Sequence, residues 1–304
     1  MRLAFAGTPH FAATVLGGLL GSDHEVGLVI SQPDSRRGRG RKTVQTPVAE
    51  LAMEHGCELR QPERIGEVAE EIAGYDALVV AAYGQILRAE TLEAASAGAW
   101  NVHASLLPAY RGAAPVERAI MAGEDTTGVT IMRMTEGLDT GPFVLRREIE
   151  VGPEITGGEL TTELAGLGAG AIVEALDLVQ SGTAEQEEQE ESLASYAAKI
   201  SPEERFVEWG LDARRVHDHI RGLSPHIGAR ASHPEIDGPV KLLGSRVTGE
   251  AGLEPGEIVS GRDGLFVGCG SGAVEITELQ LPGARAMSAA DFLVGNRLEG
   301  RFSV

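Results

Sequence analysis

Residues 99–115 read AWNVHASLLPAYRGAAP, and the rest of the chain is organised around this stretch. An apolar run at 76–82 precedes it, and such runs are typical of strands buried in a parallel sheet. A second run, rich in β-branched residues, follows at 127–133. With residues 99–105 as a further strand, these runs predict an open, mostly parallel α/β sheet.

Three polar residues of this region are candidates for catalysis. Asn101 and His103 are two positions apart, so on a strand they face the same side. They would lie near the carboxyl end of that strand, where open α/β sheets bind their ligands. The glycine-flanked turn EGLDTG at 136–141 offers Asp139 to the same crevice. An amide donor, an imidazole and a carboxylate that converge in this way indicate acyl transfer.

The same residues resemble the folate-dependent formyltransferases. The resemblance rests on Asn-x-His at 101–103, on SLLPAYRGAAP at 105–115 and on GLDTG at 137–141. It extends over the whole chain, from FAGTP at 5–9 to AMSA at 286–289. In this full length the chain is similar to those members of the family that act on an initiator tRNA.

This resemblance implies a function as well as a fold. It implies a transferase in which Asn101, His103 and Asp139 are the catalytic residues and 10-formyltetrahydrofolate is the formyl donor. The acceptor it implies is the α-amino group of methionyl initiator tRNA, so the process is translation initiation. It implies neither a membrane nor a DNA partner.

Two segments are implied by the resemblance to bind the folate. They are Ser105, Leu106, Leu107 and Pro108, and Tyr83, Gly84, Gln85, Ile86 and Leu87. A flat pterin needs apolar walls together with exposed backbone donors and acceptors, which irregular segments supply better than strands. The alternative for Leu106 and Leu107 is that they fill the core.

Formyl transfer sets the tasks that these side chains would perform. A neutral amine attacks the formyl carbon and forms a tetrahedral intermediate with a negative oxygen. The Asn101 amide is a candidate donor to that oxygen, an effect worth about 10² to 10³ in rate. His103 is a candidate base or a further donor, and Asp139 would orient the imidazole or hold a relaying water. Ser105 lacks a nucleophile-elbow setting, so we expect direct transfer without an acyl-enzyme.

Charge is distributed unevenly along this acidic chain. The net charge of −19 opposes binding to nucleic-acid phosphates unless basic residues are concentrated locally. One such concentration, the basic cluster at 36–42, contains Arg36, Arg37, Arg39, Arg41 and Lys42. It resembles an inserted loop of the family that meets the acceptor end of the initiator tRNA, and we expect it to bind tRNA. The alternative is a solvated loop.

Periodicity and composition divide the chain into two domains. Apolar residues recur at helical spacing over 158–179 and predict a helix that closes a Rossmann-like domain at 1–184. Residues 185–204, which begin in a run rich in Gln and Glu, are predicted to be a solvated linker or a frayed helical tail. Short β-rich segments separated by glycine follow in 205–304 and predict a smaller β-barrel, which the resemblance implies is OB-like.

The cysteine and histidine residues favour neither a disulfide nor a metal site. Cys57 and Cys269 lie far apart in sequence, as is typical of proteins in a reduced compartment. The N-terminal region lacks the apolar core of a signal peptide, and no apolar run reaches the length of a membrane span. His217 and His219 are expected to be surface residues on different sides of a helix. We therefore expect a cytoplasmic protein without a metal.

Two other functions are compatible with parts of this pattern. The same catalytic domain would serve a formyltransferase that acts on a small amine, such as an amino-sugar nucleotide. The basic cluster and the second domain favour tRNA, because a small acceptor requires neither. A non-catalytic RNA-binding module built on the barrel is the third interpretation, and the presence of Asn101, His103 and Asp139 argues against it.

Overall fold

The computed structural model describes residues 1–37, 42–249, 252–261 and 264–303. The chain forms two compact units, each assembled from separate stretches. The first unit contains Met1–Gly112, Thr127–Ile149 and Thr161–Ala197, and the second contains Ala113–Thr126, Glu150–Leu160 and Ala198–Val304. The division into 1–184, 185–204 and 205–304 remains a prediction along the sequence, whereas these units follow packing and place residues 185–197 with the first unit.

The first unit is built on a parallel-dominated sheet. The strands of the chain up to residue 197 are β1 (Arg2–Gly7), β2 (Glu25–Ile30), β3 (Ser35–Arg37), β4 (Lys42–Val44), β5 (Glu58–Arg60), β6 (Ala77–Ala81), β7 (Ala99–His103), β8 (Arg111–Gly112), β9 (Thr126–Arg133), β10 (Phe143–Glu150) and β11 (Tyr196–Ala197). Strands β3 and β4 pair with each other, as do β8 and β11, and the other seven form the main sheet. The strand order in the main sheet is β10-β9-β7-β6-β1-β2-β5. The pairs β1–β2, β1–β6, β2–β5 and β6–β7 are parallel, and β9 is antiparallel to β7. Strand β6 is buried along its whole length, which explains its fully apolar sequence ALVVA.

Helices are interspersed with these strands along the chain. They are α1 (His10–Leu20), α2 (Pro47–Glu54), α3 (Ala69–Ile72), α4 (Ala89–Leu92), α5 (Pro115–Ala122) and α6 (Gly157–Ser181). Helix α2 begins where the sequence favours it, because Thr46 accepts a hydrogen bond from the backbone N–H of Ala49 and Pro47 occupies the first turn. Helix α5 belongs to the second unit, and α6 begins in the second unit and continues in the first.

The sheet topology defines a crevice beside β1. From β1 the chain continues through β2 to β5 on one side, and it returns to β6, β7 and β9 on the other. The strand order therefore reverses between β1 and β6. Open α/β sheets bind ligands outside the carboxyl ends of the strands at such a switch point. The turns that follow β1, β6 and β7 meet this edge of the sheet.

Thr8 lies at this crevice, directly after β1. It does not cap the first helix, because α1 begins at His10 and its cap position, Pro9, makes no side-chain hydrogen bond. The Thr8 hydroxyl donates instead to the carbonyl oxygen of Tyr83, 3.2 Å away. This hydrogen bond from the Thr8 hydroxyl to the Tyr83 carbonyl ties the turns after β1 and β6 together.

The second unit contains a curled antiparallel sheet that forms a half-barrel. Its strands and helices are β12 (Ala229–Ala231), β13 (Val240–Thr248), β14 (Glu257–Gly261), β15 (Gly264–Gly268), β16 (Ala273–Gln280), β17 (Met287–Ser288), β18 (Gly300–Arg301), α7 (Ala213–Leu223) and α8 (Ala289–Gly295). The strand order is β12-β13-β16-β15-β14-β18, with β17 paired to β16. The predicted fold class, a mostly parallel α/β sheet followed by a smaller OB-like β domain, is confirmed.

Most of helix α7 is buried, although Arg214 and Arg215 in its first turn are exposed. The prediction that His217 is a surface residue is wrong, because its side chain is 1% exposed. Its Nδ1 lies 3.0 Å from the Ser245 hydroxyl and its Nε2 lies 3.1 Å from the Pro153 carbonyl oxygen. The next residue, Asp218, accepts a hydrogen bond from Arg221 at 2.6 Å, and both side chains are buried. Polar residues on α7 are therefore covered because they have partners, which periodicity alone does not reveal.

Two further properties concern membrane helices and the cysteines. Within the described ranges, no helix has both the length and the apolar composition that crossing a membrane requires. Cys57 and Cys269 are free thiols, and burial raises the pKa of both, that of Cys269 to about 11.

Candidate active site

Strand β7 presents the two candidate catalytic residues of the central stretch. Asn101 and His103 lie on the same face of β7 and pair with Met132 and Thr130 of β9. Their side chains are 8% and 6% exposed. Both lie towards the carboxyl end of the strand, as the sequence predicts, so the sheet rather than a loop holds them in place.

The imidazole of His103 lies between a carbonyl and a carboxylate. Its Nε2 is 3.0 Å from the carbonyl oxygen of Tyr110, and its Nδ1 is 3.7 Å from Oδ2 of Asp139. A carbonyl oxygen only accepts hydrogen bonds, so we assign the hydrogen of the neutral ring to Nε2. Nδ1 then carries the lone pair and is the atom that can take up a proton, with Asp139 beside it to stabilise the resulting cation.

Asp139 reaches this imidazole from a turn between β9 and β10. Its backbone has φ +52°, in the left-handed region that residues other than glycine rarely occupy. Its Oδ2 accepts a hydrogen bond from the backbone N–H of Gly112 at 2.8 Å. The side chain is 15% exposed. The carboxylate is therefore held by the main chain and faces His103.

The amide of Asn101 differs from the His103 imidazole and the Asp139 carboxylate in its hydrogen bonding. Its side chain makes no hydrogen bond to the residues that the structure describes, although it is almost entirely buried. The residue is 8% exposed, and its amide atoms are not among the fully shielded side-chain atoms that lack a partner, so they remain in contact with solvent. The free amide beside His103 and Asp139 is therefore a group that a bound molecule can use.

Residues 105–110 form a compact loop after β7. The Ser105 hydroxyl donates to the carbonyl oxygen of Ala109 at 2.6 Å. Thr130 donates to the carbonyl oxygen of Ser105 at 2.7 Å and accepts from the N–H of Leu107 at 3.0 Å. Leu107 is fully buried in a small cluster with Met132 and Phe143, whereas Leu106 is half-buried. Of the predicted folate segment here, Leu107 contributes its side chain to the core and Ser105 uses its hydroxyl within the loop.

The second predicted folate segment, Tyr83–Leu87, follows β6 at the switch point. Tyr83 is 2% exposed, and burial raises its pKa to about 12, so its hydroxyl stays neutral. Its carbonyl oxygen accepts hydrogen bonds from Thr8 and from Nε2 of Gln32. Gln85 donates to Glu63 and accepts from the N–H of Ile65. Ile86 is 91% exposed, which leaves an apolar side chain uncovered at the crevice.

The basic cluster lies largely beyond what the structure describes. Strands β3 and β4 pair as an antiparallel hairpin, with Arg36 opposite Thr43 and Arg37 opposite Lys42. Arg39 and Arg41 lie outside the described residues, and for Arg36, Arg37 and Lys42 only the backbone is described. Its role in binding tRNA remains a prediction.

Sequence reasoning missed polar residues that pack around the three candidate catalytic residues. Arg111 is fully buried and donates from Nε to Oε1 of Gln189 and from Nη1 to both carboxylate oxygens of Glu191. Gln189 in turn donates to the carbonyl oxygens of Asp139 and Gly141. The run rich in Gln and Glu gave no signal of these contacts, because its composition is that of a solvated segment. The one available clue was Arg111, a charged residue inside the central motif.

In the part of the chain that is described, no group of three or more His, Cys, Asp or Glu side chains is arranged to hold a metal ion. The polar groups of the crevice are an amide, an imidazole, one carboxylate and main-chain N–H and C=O groups. This set can orient a carbonyl, stabilise a negative oxygen and move a proton, which are the requirements of acyl transfer.

Sequence comparisons relate the chain to known families. The formyl transferase family matches residues 1–176, and the family described as formyl transferase, C-terminal domain, matches residues 199–297. A methionyl-tRNA formyltransferase from Rubrobacter xylanophilus is 63% identical over 302 residues, which cover 99% of this chain and 99% of that protein.

Solved structures share the fold at low sequence identity. An N-formyltransferase from Helicobacter canadensis, in complex with folinic acid and dTDP-3-aminofucose, matches with a TM-score of 0.67 and 17% identity over 91% of this chain and 98% of that one. HypX from Aquifex aeolicus, in complex with tetrahydrofolic acid, matches with a TM-score of 0.69 and 19% identity over 96% of this chain and 47% of that one. These likenesses concern the fold alone.

Proposed function

The chain belongs to the methionyl-tRNA formyltransferases of the formyl transferase family, and we propose that it transfers the formyl group of 10-formyltetrahydrofolate to the α-amino group of methionyl initiator tRNA. The full-length relative at 63% identity supports this acceptor. The proposal includes a cytoplasmic location, because the substrate is a tRNA used in translation initiation.

The observation that carries the chemistry is the arrangement of Asn101, His103 and Asp139. In the proposed reaction the lone pair of the amine attacks the formyl carbon, and a C–N bond forms as the carbonyl electrons move to oxygen. The Asn101 amide, which bonds to none of the described residues, donates a hydrogen bond to that oxygen. This hydrogen bond is stronger to the negative oxygen than to the ground-state carbonyl. Collapse of the intermediate breaks the bond to N10 of the folate and restores the carbonyl.

His103 is the proposed acceptor of the amine proton. The hydrogen bond from Nε2 to Tyr110 leaves Nδ1 as the basic atom, and Asp139 lies 3.7 Å from it. The imidazolium that forms is stabilised by this carboxylate, and the departing N10 takes up a proton when the intermediate collapses. The Ser105 hydroxyl is occupied by Ala109, which supports direct transfer without an acyl-enzyme.

The formyl donor, 10-formyltetrahydrofolate, is proposed to lie along the crevice at the switch point beside β1. Segment Tyr83–Leu87 would contribute its main chain and the exposed Ile86, and Ser105–Pro108 would line the approach to the trio. The exposed apolar side chain and the irregular backbone of the first segment support this placement. The basic cluster at 36–42 is proposed to meet the phosphates near the acceptor end of the tRNA.

One experiment distinguishes methionyl initiator tRNA from a small amine as the formyl acceptor. The protein is incubated with formyl-labelled 10-formyltetrahydrofolate in three parallel reactions. Each reaction contains one acceptor: methionyl initiator tRNA, methionyl elongator tRNA or a dTDP-linked amino sugar. We expect label on the methionine of the initiator tRNA and much less on the other two. Label on the amino sugar alone would contradict the proposed acceptor and favour the small-amine enzyme.

A further inference from the structure

The His103 imidazole has two neighbours, the carbonyl of Tyr110 and the carboxylate of Asp139. The backbones of both residues are hydrogen-bonded to one short segment, residues 189–197, which we call the strap segment. This segment lies within residues 185–204, which the sequence predicts to be solvated, yet it packs with the first unit. It carries Gln189, Glu191 and Ser195, whose side chains all bond to residues that surround the catalytic trio.

The first attachment is to the turn that holds Asp139. Nε2 of Gln189 donates to the carbonyl oxygen of Asp139 at 2.8 Å and to that of Gly141 at 2.7 Å. The amide orientation follows from the opposite side, where Nε of Arg111 lies 3.1 Å from Oε1 of Gln189. Because Arg Nε only donates, Oε1 must face it, and both amide hydrogens are left for the two carbonyls.

These two hydrogen bonds hold the turn at Asp139, whose backbone conformation is unfavourable by itself. Asp139 has φ +52°, a conformation that costs a residue with a Cβ on the order of 1 kcal/mol. Such a conformation persists only where its surroundings fix it. Gln189 fixes the carbonyls on either side of Thr140, so it holds the turn in the form that directs the carboxylate to His103.

The second attachment is to the loop that carries Tyr110. The Ser195 hydroxyl accepts from the N–H of Tyr110 at 2.9 Å, and its carbonyl oxygen accepts from the N–H of Arg111 at 2.8 Å. Strand β11 then pairs with β8 in parallel. The Tyr110 carbonyl that binds Nε2 of His103 is therefore held by the same strap segment.

We propose that Gln189 is a positioning residue for the transfer reaction, acting through the Asp139 turn, and that the strap segment sets the distances of both His103 nitrogens to their neighbours. This inference rests on the proposed function. Displacement of a catalytic group by about 1 Å can cost on the order of 10² in rate, and partners of catalytic ligands typically contribute about 10- to 100-fold.

The test uses Gln189→Glu in the full chain. A glutamate keeps an acceptor for the Arg111 guanidinium but cannot donate to either carbonyl, and its charge repels both. A role confined to the stability of buried Arg111 would thus tolerate this change, whereas a role in the Asp139 turn would not. Gln186→Glu, the same change at an exposed position three residues earlier, is the matched control.

We expect Gln189→Glu to lower kcat by about 10- to 100-fold, with little change in the KM for the folate, and Gln186→Glu to match the wild type. Gln189→Met, which keeps the side-chain volume without donors, should lower kcat as well and serves if the glutamate variant is poorly folded. In an Asp139→Asn background the effect of either change should shrink to about 3-fold or less, because both act through one group.

Wild-type kcat in Gln189→Glu would overturn the proposal, and so would a loss of activity that persists in full in the Asp139→Asn background. Failure of the proposed function itself is seen separately, because the unmodified protein would then not formylate methionyl initiator tRNA at all.

Discussion

The backbone N–H of Gly112 donates to Oδ2 of Asp139 at 2.8 Å, the same oxygen that lies 3.7 Å from Nδ1 of His103. One carboxylate oxygen thus lies between the backbone of β8 and the imidazole on β7. This places the main chain of Gly112 within the candidate site, although glycine has no side chain to contribute.

Gly112→Ala is predicted to impair this connection. Gly112 has φ +121°, and a Cβ at this position would lie 2.8 Å from the carbonyl oxygen of Ala197. The backbone must therefore move, and we expect kcat to fall by about 10² because the carboxylate moves with it. Gly166→Ala on α6, where a Cβ would meet nothing within 4 Å, is the control and should leave kcat unchanged. Equal kcat in the two variants would show that the geometry of Gly112 does not matter.

Ile86→Ser is predicted to weaken the binding of the folate without unfolding the protein. Ile86 is 91% exposed, so its removal exposes no core, but a ligand that covers it would lose apolar contact. We expect the KM for 10-formyltetrahydrofolate to rise by about 3- to 10-fold with an unchanged thermal midpoint. Val294→Ser, at a similarly exposed aliphatic residue of the second unit, is the control. An unchanged KM for 10-formyltetrahydrofolate in Ile86→Ser would show that the Ile86 side chain does not contact the bound folate.

The ion pair between Arg118 and Glu204 predicts a pH-dependent stability of the second unit. Hydrogen bonds from Arg118, and then from the N–H of Ser201, hold the pKa of Glu204 at about 2, below its ordinary 4.5. The contribution of Glu204 is therefore present above about pH 4.5 and is lost as the pH falls towards 2. The pair is partly exposed, so solvent screening limits its contribution to under about 1 kcal/mol.

Glu204→Gln should accordingly lower the thermal midpoint by about 1–3 °C at pH 7. The difference from the wild type should shrink steadily between pH 5 and pH 3, whereas Glu203→Gln at the exposed neighbouring position should have no such dependence. A difference that stays constant over this range would show that the carboxylate charge of Glu204 is not what stabilises the unit.

Neutralising Arg39 and Arg41 is predicted to impair the use of tRNA selectively. On a chain of net charge −19, the basic cluster is where phosphate contact is least opposed. We expect a higher KM for methionyl initiator tRNA, an unchanged KM for the folate, and a log–log salt dependence of tRNA binding that is shallower by about 0.7–0.9 for each lost contact. If the double Ala variant has the wild-type salt dependence of tRNA binding, Arg39 and Arg41 make no phosphate contacts and the cluster is a solvated loop.

The regular part of the site could be predicted from the sequence because it depends on local pattern. Alternation along β7 places Asn101 and His103 on one face, and glycines around Asp139 mark a turn. The long helix predicted at 158–179 is observed as α6, and the β-rich segments of the last hundred residues form the half-barrel. Each of these features is encoded within a few neighbouring residues.

What could not be predicted depends on contacts between residues that are distant in sequence. Gln189 and Asp139 are 50 positions apart, and Arg111 and Glu191 are 80 apart. Composition identifies Gln and Glu as solvated residues unless a buried arginine requires them, and only the fold reveals that Arg111 is buried. The surface prediction for His217 is wrong for the same reason, since the Ser245 hydroxyl that bonds to its imidazole lies far along the chain.

The most direct test of the catalytic assignment is the single-turnover rate of formyl transfer in His103→Ala, with saturating 10-formyltetrahydrofolate and methionyl initiator tRNA. His55→Ala, at an exposed histidine at the end of α2, is the matched control, and circular dichroism checks that both variants are folded. We predict that His103→Ala transfers formyl at least about 10² more slowly than the wild type, and that His55→Ala does not. A folded His103→Ala variant with the wild-type rate would contradict the assignment.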